Sequence, residues 1–227
     1  MAALLADQIA TVLIIDSHPL MRSGLSKLLR DSEHFKPVAE AESGFKGVHL
    51  ASLFTPDLIL LELNLKGGMN GIETIEALRK IGIAGRIIIF ADSERPSDII
   101  ASIRAGADDY VNKGIEPQDL VMRLQNILSG EAGISLEFRE LIDKALRDIN
   151  FQAFRRIDDL TDRELSILIH LSKGHSNKII SKELQIAENT VKVFVHRLLK
   201  KFHFASRVEM AVWALAQKIE RSIKDEW

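Results

Sequence analysis

The sequence predicts an α/β doubly wound, five-stranded parallel sheet followed by an all-α helix-turn-helix domain. Three observations carry that expectation. Five short apolar, β-branched runs alternate with segments of helical spacing through the first half of the chain, the pattern of βαβ units. Beyond about residue 158 only helical periodicities remain. The chain has 227 residues, 46% of them hydrophobic, and at roughly 100–200 residues per domain that length suffices for two cores.

The five runs are Thr11–Ile15, Pro37–Ala41, Asp57–Leu61, Arg86–Ala91 and Asp109–Val111. Val12–Ile15, Leu58–Leu61 and Ile87–Phe90 are almost continuously apolar, which suits strands covered on both faces. Between them, Leu20/Gly24/Leu25/Leu28/Leu29, Ile72/Ile75/Ala77/Leu78 and Leu120/Leu124/Ile127/Leu128 recur at helical spacing. In such sheets ligands collect at the carboxyl ends of the strands. Those ends carry Asp16 and Ser17, then Glu62, then Ala91 and Asp92, then Asn112 and Lys113. Acids, a hydroxyl and a lysine on one rim suit a cation or phosphoryl site, and equally suit polar strand ends that simply meet water.

The segments Val12–Pro19, Pro56–Asn64, Gly106–Lys113 and Glu116-Pro117 resemble the receiver domain of bacterial two-component response regulators, a flavodoxin-like fold, in register over about residues 10–130. The resemblance implies a phosphorylation pocket at Asp16, Ser17, Glu62, Ala91 and Lys113, with Tyr110 at the aromatic switch position. It also shows where this chain departs from the family. The second of two Mg²⁺-binding acids is Ser17, the phosphate-accepting aspartate falls on Glu62, and the usual Thr or Ser falls on Ala91. The loop Asn64–Gly71 has Lys66 where proline is usual and is one glycine longer. Phosphoryl transfer rests on positioning and metal neutralisation. One extra methylene moves the acceptor oxygen by more than an ångström, and ~1 Å costs on the order of 10²-fold in rate. The expectation is a degenerate receiver that works without ordinary aspartyl phosphorylation, either as a constitutive dimer scaffold or with Glu62 as a phosphomimic.

In the C-terminal part, Thr161-Asp-Arg-Glu164 forms a capping box opening a helix that stops near Gly174. Ser176 caps a second helix with Ile179, Ile180 and Leu184 inward, and Gln185-Ile-Ala187 turns into a third over about Glu188–Phe202. On that third helix Val191, Phe194, Val195, Leu198, Leu199 and Phe202 share one side. Lys192, His196 and Lys200 form a row on the other side, beside Val193, Arg197 and Lys201. A valine among cations suits a major-groove helix, where an apolar side chain meets a thymine methyl while cations take guanine edges and phosphates. Leu160–Glu164, Gly174–Lys178, Asn189–Val193 and Ser206–Glu209 resemble the LuxR-type helix-turn-helix, and the two-part chain is similar to the NarL/FixJ class of transcription regulators. By that resemblance Lys192, Val193 and His196 read bases, and Lys178, Asn189, Thr190, Arg197 and Lys200 lie near phosphates. It further suggests a homodimer on promoter half-sites of double-stranded DNA, in contact with the transcription machinery.

The formal net charge of −2 argues weakly against a nucleic-acid binder, yet Lys173 to Arg207 holds eight basic residues against two acidic ones. There is no cysteine, no HExxH, and no apolar run near the roughly 20 residues that span a bilayer. The sequence therefore reads as a cytoplasmic regulator with no enzymatic activity, cofactor, metal or membrane partner. The expected domains are 10–130 and 158–222, joined by a helical linker over 131–157. Phe151–Arg156 offers two aromatics and two arginines that could clamp a cyclic dinucleotide. A protein-interaction regulator that captures another regulator is the other alternative.

Overall fold

The computed structural model describes residues 9–92, 95–129, 138–140, 142, 160–202, 204 and 206–216. These fall into two compact units, one within 1–93 and 110–128 and the other within 94–109 and 129–227. The linker expected over 131–157 lies outside the described residues except at 138–140 and 142, and the Phe151–Arg156 run lies wholly outside them.

Strands β1 (Ala10–Ile15), β2 (Phe35–Ala41), β3 (Leu58–Leu61), β4 (Arg86–Ala91) and β5 (Asp109–Asn112) form one sheet in the order β2-β1-β3-β4-β5, with parallel β1–β2, β1–β3 and β3–β4 ladders. Helices α1 (Pro19–Asp31), α2 (Gly44–Phe54), α3 (Gly71–Lys80), α4 (Pro96–Ala105) and α5 (Pro117–Ser129) connect and follow the strands. All four β3 residues and Val12 to Ile15 are buried, as their uninterrupted apolarity requires. The strand order reverses direction between β1 and β3, which opens a crevice beyond their carboxyl ends. Asp16 and Glu62 are the first residues past those two strands.

β2 starts two residues before the sequence pattern suggests, and includes Pro37. As an edge strand β2 can lack one N–H, and the register shifts beside it between Val12 and Leu13. Leu20, grouped with the inner face of α1, is 89% exposed, because the buried line is Leu25, Ser26 and Leu29, one residue round the helix. Gly71 opens α3 where a Cβ would lie 2.5 Å from Leu63 Cα and 2.7 Å from the Glu62 carbonyl oxygen, so only glycine lets the helix start against the end of β3.

In the other unit, helices α6 (Asp162–Ser172), α7 (Asn177–Glu183), α8 (Glu188–Phe202) and α9 (Arg207–Ala216) enclose a core of Ile167, Leu168, Leu171, Ile180, Val191, Val195, Leu198 and Trp213. The Thr161–Glu164 capping box forms, and Ser176 Oγ accepts from Ile179 N–H at the start of α7. Gln185 adopts φ +52° in the turn before α8. Ile179, expected inward, is exposed, since Ile180 and Leu184 fix the buried side of this short helix and the preceding residue is turned by about 100°.

Candidate functional site

Past the carboxyl ends of β1, β3 and β5, three side chains of opposite charge meet. Lys113 Nζ donates to Asp16 Oδ2 at 2.7 Å and is ion-paired with Glu62 Oε2, and the three side chains are no more than 5% exposed. Each is placed by backbone. Asp16 N–H donates to Ala41 O, Glu62 N–H to Ile15 O, and Lys113 N–H to Ala91 O, tying the three strand ends to their neighbours. The second Glu62 oxygen, Oε1, accepts from Asn64 N–H at 2.8 Å. Asp16 Oδ1 accepts from His18 N–H at 2.7 Å and lies 3.0 Å from His18 Nδ1.

Burial alone would raise the Asp16 carboxyl, but hydrogen bonds from Lys113 and His18 and the Lys113 charge outweigh it and hold the group below its ordinary value. Burial would likewise lower the Lys113 ammonium. Hydrogen bonds to Asp16 and Glu62, with their charges, instead hold it above its ordinary value. Both groups are thus kept ionised at neutral pH.

Ser17 stands beside this cluster with a different task. Its Oγ accepts from Lys66 N–H at 2.8 Å, anchoring the loop that follows Glu62, in which Gly67 and Gly68 take φ +97° and +90°. Ala91 is fully buried and offers no hydroxyl. Tyr110 is buried, and its carbonyl oxygen accepts from Arg123. The sequence reading missed His18 and Arg22, whose guanidinium donates to Asp16 O at 2.6 Å. Their signal was proximity alone: two and six residues after Asp16, at the start of α1.

The second candidate site is the outward face of α8. Lys192, Val193, His196, Arg197 and Lys200 are all exposed, with Val193 at 56%, while Val191, Val195, Leu198 and Phe202 are buried behind them. Asn189 is exposed and Thr190 half-buried at the start of the helix, and Lys178 is exposed on α7. Lys192 lies 3.5 Å from Glu188 one turn back, and the Arg197 guanidinium sits 5.4 Å above the Phe194 ring. Lys201, read with the outward row, instead turns to Glu164 at 3.0 Å.

Two family descriptions match the chain: the response regulator receiver domain over residues 12–125, and the bacterial regulatory proteins of the luxR family over residues 158–214. The chain is 40% identical over 210 residues to the nitrate/nitrite response regulator protein NarL of Escherichia coli strain K12, covering 92% of this chain and 97% of that protein. It is 41% identical over 211 residues to the nitrate/nitrite response regulator protein NarP of the same strain, covering 91% and 95%. Among solved structures, a LuxR-family two-component response regulator from Aurantimonas sp. SI85-9A1 matches with a TM-score of 0.55 at 30% identity, over 60% of this chain and 97% of that one. The Salmonella typhimurium response regulator RcsB matches in fold with a TM-score of 0.53 at 19% identity, over 86% and 92%.

Proposed function

The chain belongs to the LuxR-type response regulators, transcription factors that join a receiver to a DNA-binding helix-turn-helix, and on that premise we propose that its receiver holds one state without ordinary aspartyl phosphorylation. Its relatives are transcription regulators, not enzymes. The observation that carries the proposal is the buried Lys113 ammonium lodged between Asp16 and Glu62.

The residues present do not suit the magnesium ion that receivers use. Magnesium asks for several hard, charged oxygens in octahedral geometry. Here the two carboxylates are engaged by Lys113, and the third position is Ser17, whose Oγ already accepts the Lys66 N–H. Among the described residues no group of three or more His, Cys, Asp or Glu side chains is placed to hold a metal. An incoming phosphoryl group would meet the longer Glu62 side chain, no hydroxyl at Ala91, and a lysine that is already paired.

A receiver fixed in this way serves as a constitutive dimerisation scaffold for the DNA-binding unit. A symmetric dimer would place two copies of α8 in successive major grooves of a double-stranded promoter site. In that reading Lys192, Val193 and His196 face bases, while Lys178, Asn189, Thr190, Arg197 and Lys200 meet phosphates. The Glu62–Lys113 ion pair favours one further possibility, that Glu62 stands in for the phosphorylated aspartate and the scaffold is held in its active form.

The test is incubation of the full chain with a small phosphodonor and Mg²⁺, followed by intact mass and sedimentation. The expected result is no stable mass increase and an unchanged dimer. A stoichiometric phosphoryl adduct with tighter DNA binding would overturn the proposal.

A further inference from the structure

Helix α6 ends in a doubly hydrogen-bonded cap: Gly174 N–H donates to Leu171 O at 2.8 Å and His175 N–H to His170 O at 3.1 Å, with Gly174 at φ +75°. This is the Schellman arrangement, in which the side chains at the two positions flanking the cap ordinarily make an apolar contact. Here those positions are His170 and His175. Their Nδ1 atoms lie 3.0 Å apart, with ring centroids 5.2 Å apart and planes tilted by 40°.

The chemistry of that contact depends on its proton count. At 3.0 Å one ring must donate and the other accept. A neutral pair satisfies this with one Nδ1–H, and a singly protonated pair satisfies it more strongly. A doubly protonated pair does not, because two N–H groups and two positive charges then face each other.

The position gives the contact leverage. His175 precedes Ser176, whose hydroxyl caps α7. Arg207 at the start of α9 donates to His175 O at 2.8 Å and to Asn177 Oδ1 at 3.3 Å. The end of α6 and the starts of α7 and α9 are thus joined through this one turn, and α7 packs directly on α8.

We propose that the His170–His175 pair is a proton-responsive cap, which closes the turn between α6 and α7 at neutral pH and loosens the helix-turn-helix when both imidazoles are protonated. The charged groups around it act in both directions. Lys173 at the cap adds positive charge and Glu183 on α7 opposes it, while the Arg207 guanidinium is directed at the neighbouring backbone oxygen. Arg139 donates to Lys173 O, adding a further cation to this end of α6. Burial first, then His175 and Lys173, hold His170 below the ordinary histidine value of 6.5. A histidine depressed in the folded state contributes stability that is complete above 6.5 and is lost as pH falls through its lowered value.

The experiment needs no DNA, so its outcome is independent of how α8 reads a promoter. Both tryptophans, Trp213 and Trp227, lie in the C-terminal part, so tryptophan fluorescence of the full chain reports melting of that unit. Between about pH 7.5 and about pH 5.5 the melting midpoint should fall by roughly 5 °C. In the H170L/H175L chain, which restores an apolar cap contact, less than half of that fall should remain. Imidazole titration by NMR on the unaltered chain should show two separate steps, the second below 6.5. H170Q, which keeps a polar but non-titrating partner, provides the comparison if the double variant fails to fold. Two histidines titrating independently near 6.5, or an equal midpoint fall in the variants, would overturn the proposal.

Discussion

Lys201 Nζ, in the last turn of α8, lies 3.0 Å from Glu164 Oε2, and that same oxygen accepts the Thr161 N–H of the α6 capping box at 3.1 Å. One carboxylate therefore caps α6 and holds the far end of α8. Its side chain is 6% exposed while that of Lys201 is 32% exposed, so solvent screens only part of the interaction. Glu164→Ala should destabilise the C-terminal unit by about 1–3 kcal/mol and Glu164→Gln by less, read by denaturant melts of tryptophan fluorescence. Burial would raise the Glu164 carboxyl, but Lys201 and the Thr161 N–H hold it below its ordinary 4.5. Its contribution is present above 4.5 and lost as pH falls through the lowered value, so the Glu164→Gln deficit should shrink in acid.

Removing the cation at the centre of the receiver pocket should cost more. Lys113→Met leaves Asp16 and Glu62 buried and facing each other, and should destabilise the receiver by about 3–5 kcal/mol. Glu62→Gln leaves Lys113 its Asp16 partner and should cost clearly less. Asp16 is held below 3.8 and Lys113 above 10.5, so the stability these two groups contribute should be flat between those limits. It is lost as pH falls through the lowered Asp16 value, and lost as pH rises through the raised Lys113 value. Chemical denaturation across pH, followed by circular dichroism, reads both edges.

Shortening one side chain should not rebuild a phosphorylation site. In Glu62→Asp the acceptor regains its length, yet Ser17 still supplies no second acid and Ala91 no hydroxyl. Only a chain carrying S17D, E62D and A91T together should gain a stable phosphoryl adduct from a small phosphodonor and Mg²⁺. Intact mass spectrometry of the single and triple variants decides this, and an adduct on the single variant would contradict it.

On α8, cations and valine should separate in a salt titration. Arg197→Ala or Lys200→Ala should weaken binding to all sequences and flatten the slope of log affinity against log salt by about 0.9 for each phosphate no longer neutralised. Val193→Ala should leave that slope unchanged and lower discrimination between sites by about 1 kcal/mol or more. Fluorescence anisotropy on duplexes recovered from a random pool measures both.

How legible these sites were in the sequence depended on what fixed each residue. β1, β3 and β4 were plain because strands covered on both faces carry continuous apolar runs. α2 was not, since Phe45, Leu53 and Phe54 are exposed and blur its buried face of Gly44, Gly47 and Ala51. Strand-end geometry brought Asp16, Glu62 and Lys113 within reach of one another as expected, but no spacing rule could reveal that Lys113 bridges both acids. Lys201 shows the limit of a helical wheel: its position points outward, while a long flexible stem carries its charge back to a buried acid on another helix.

The cation opposite Asp16 and Glu62 is part of the polypeptide itself. It is present at one per chain, needs no supply from the medium and is untouched by chelators or dilution. Its charge is carried by the side chain of the residue that follows β5, so it is inherited with the fold.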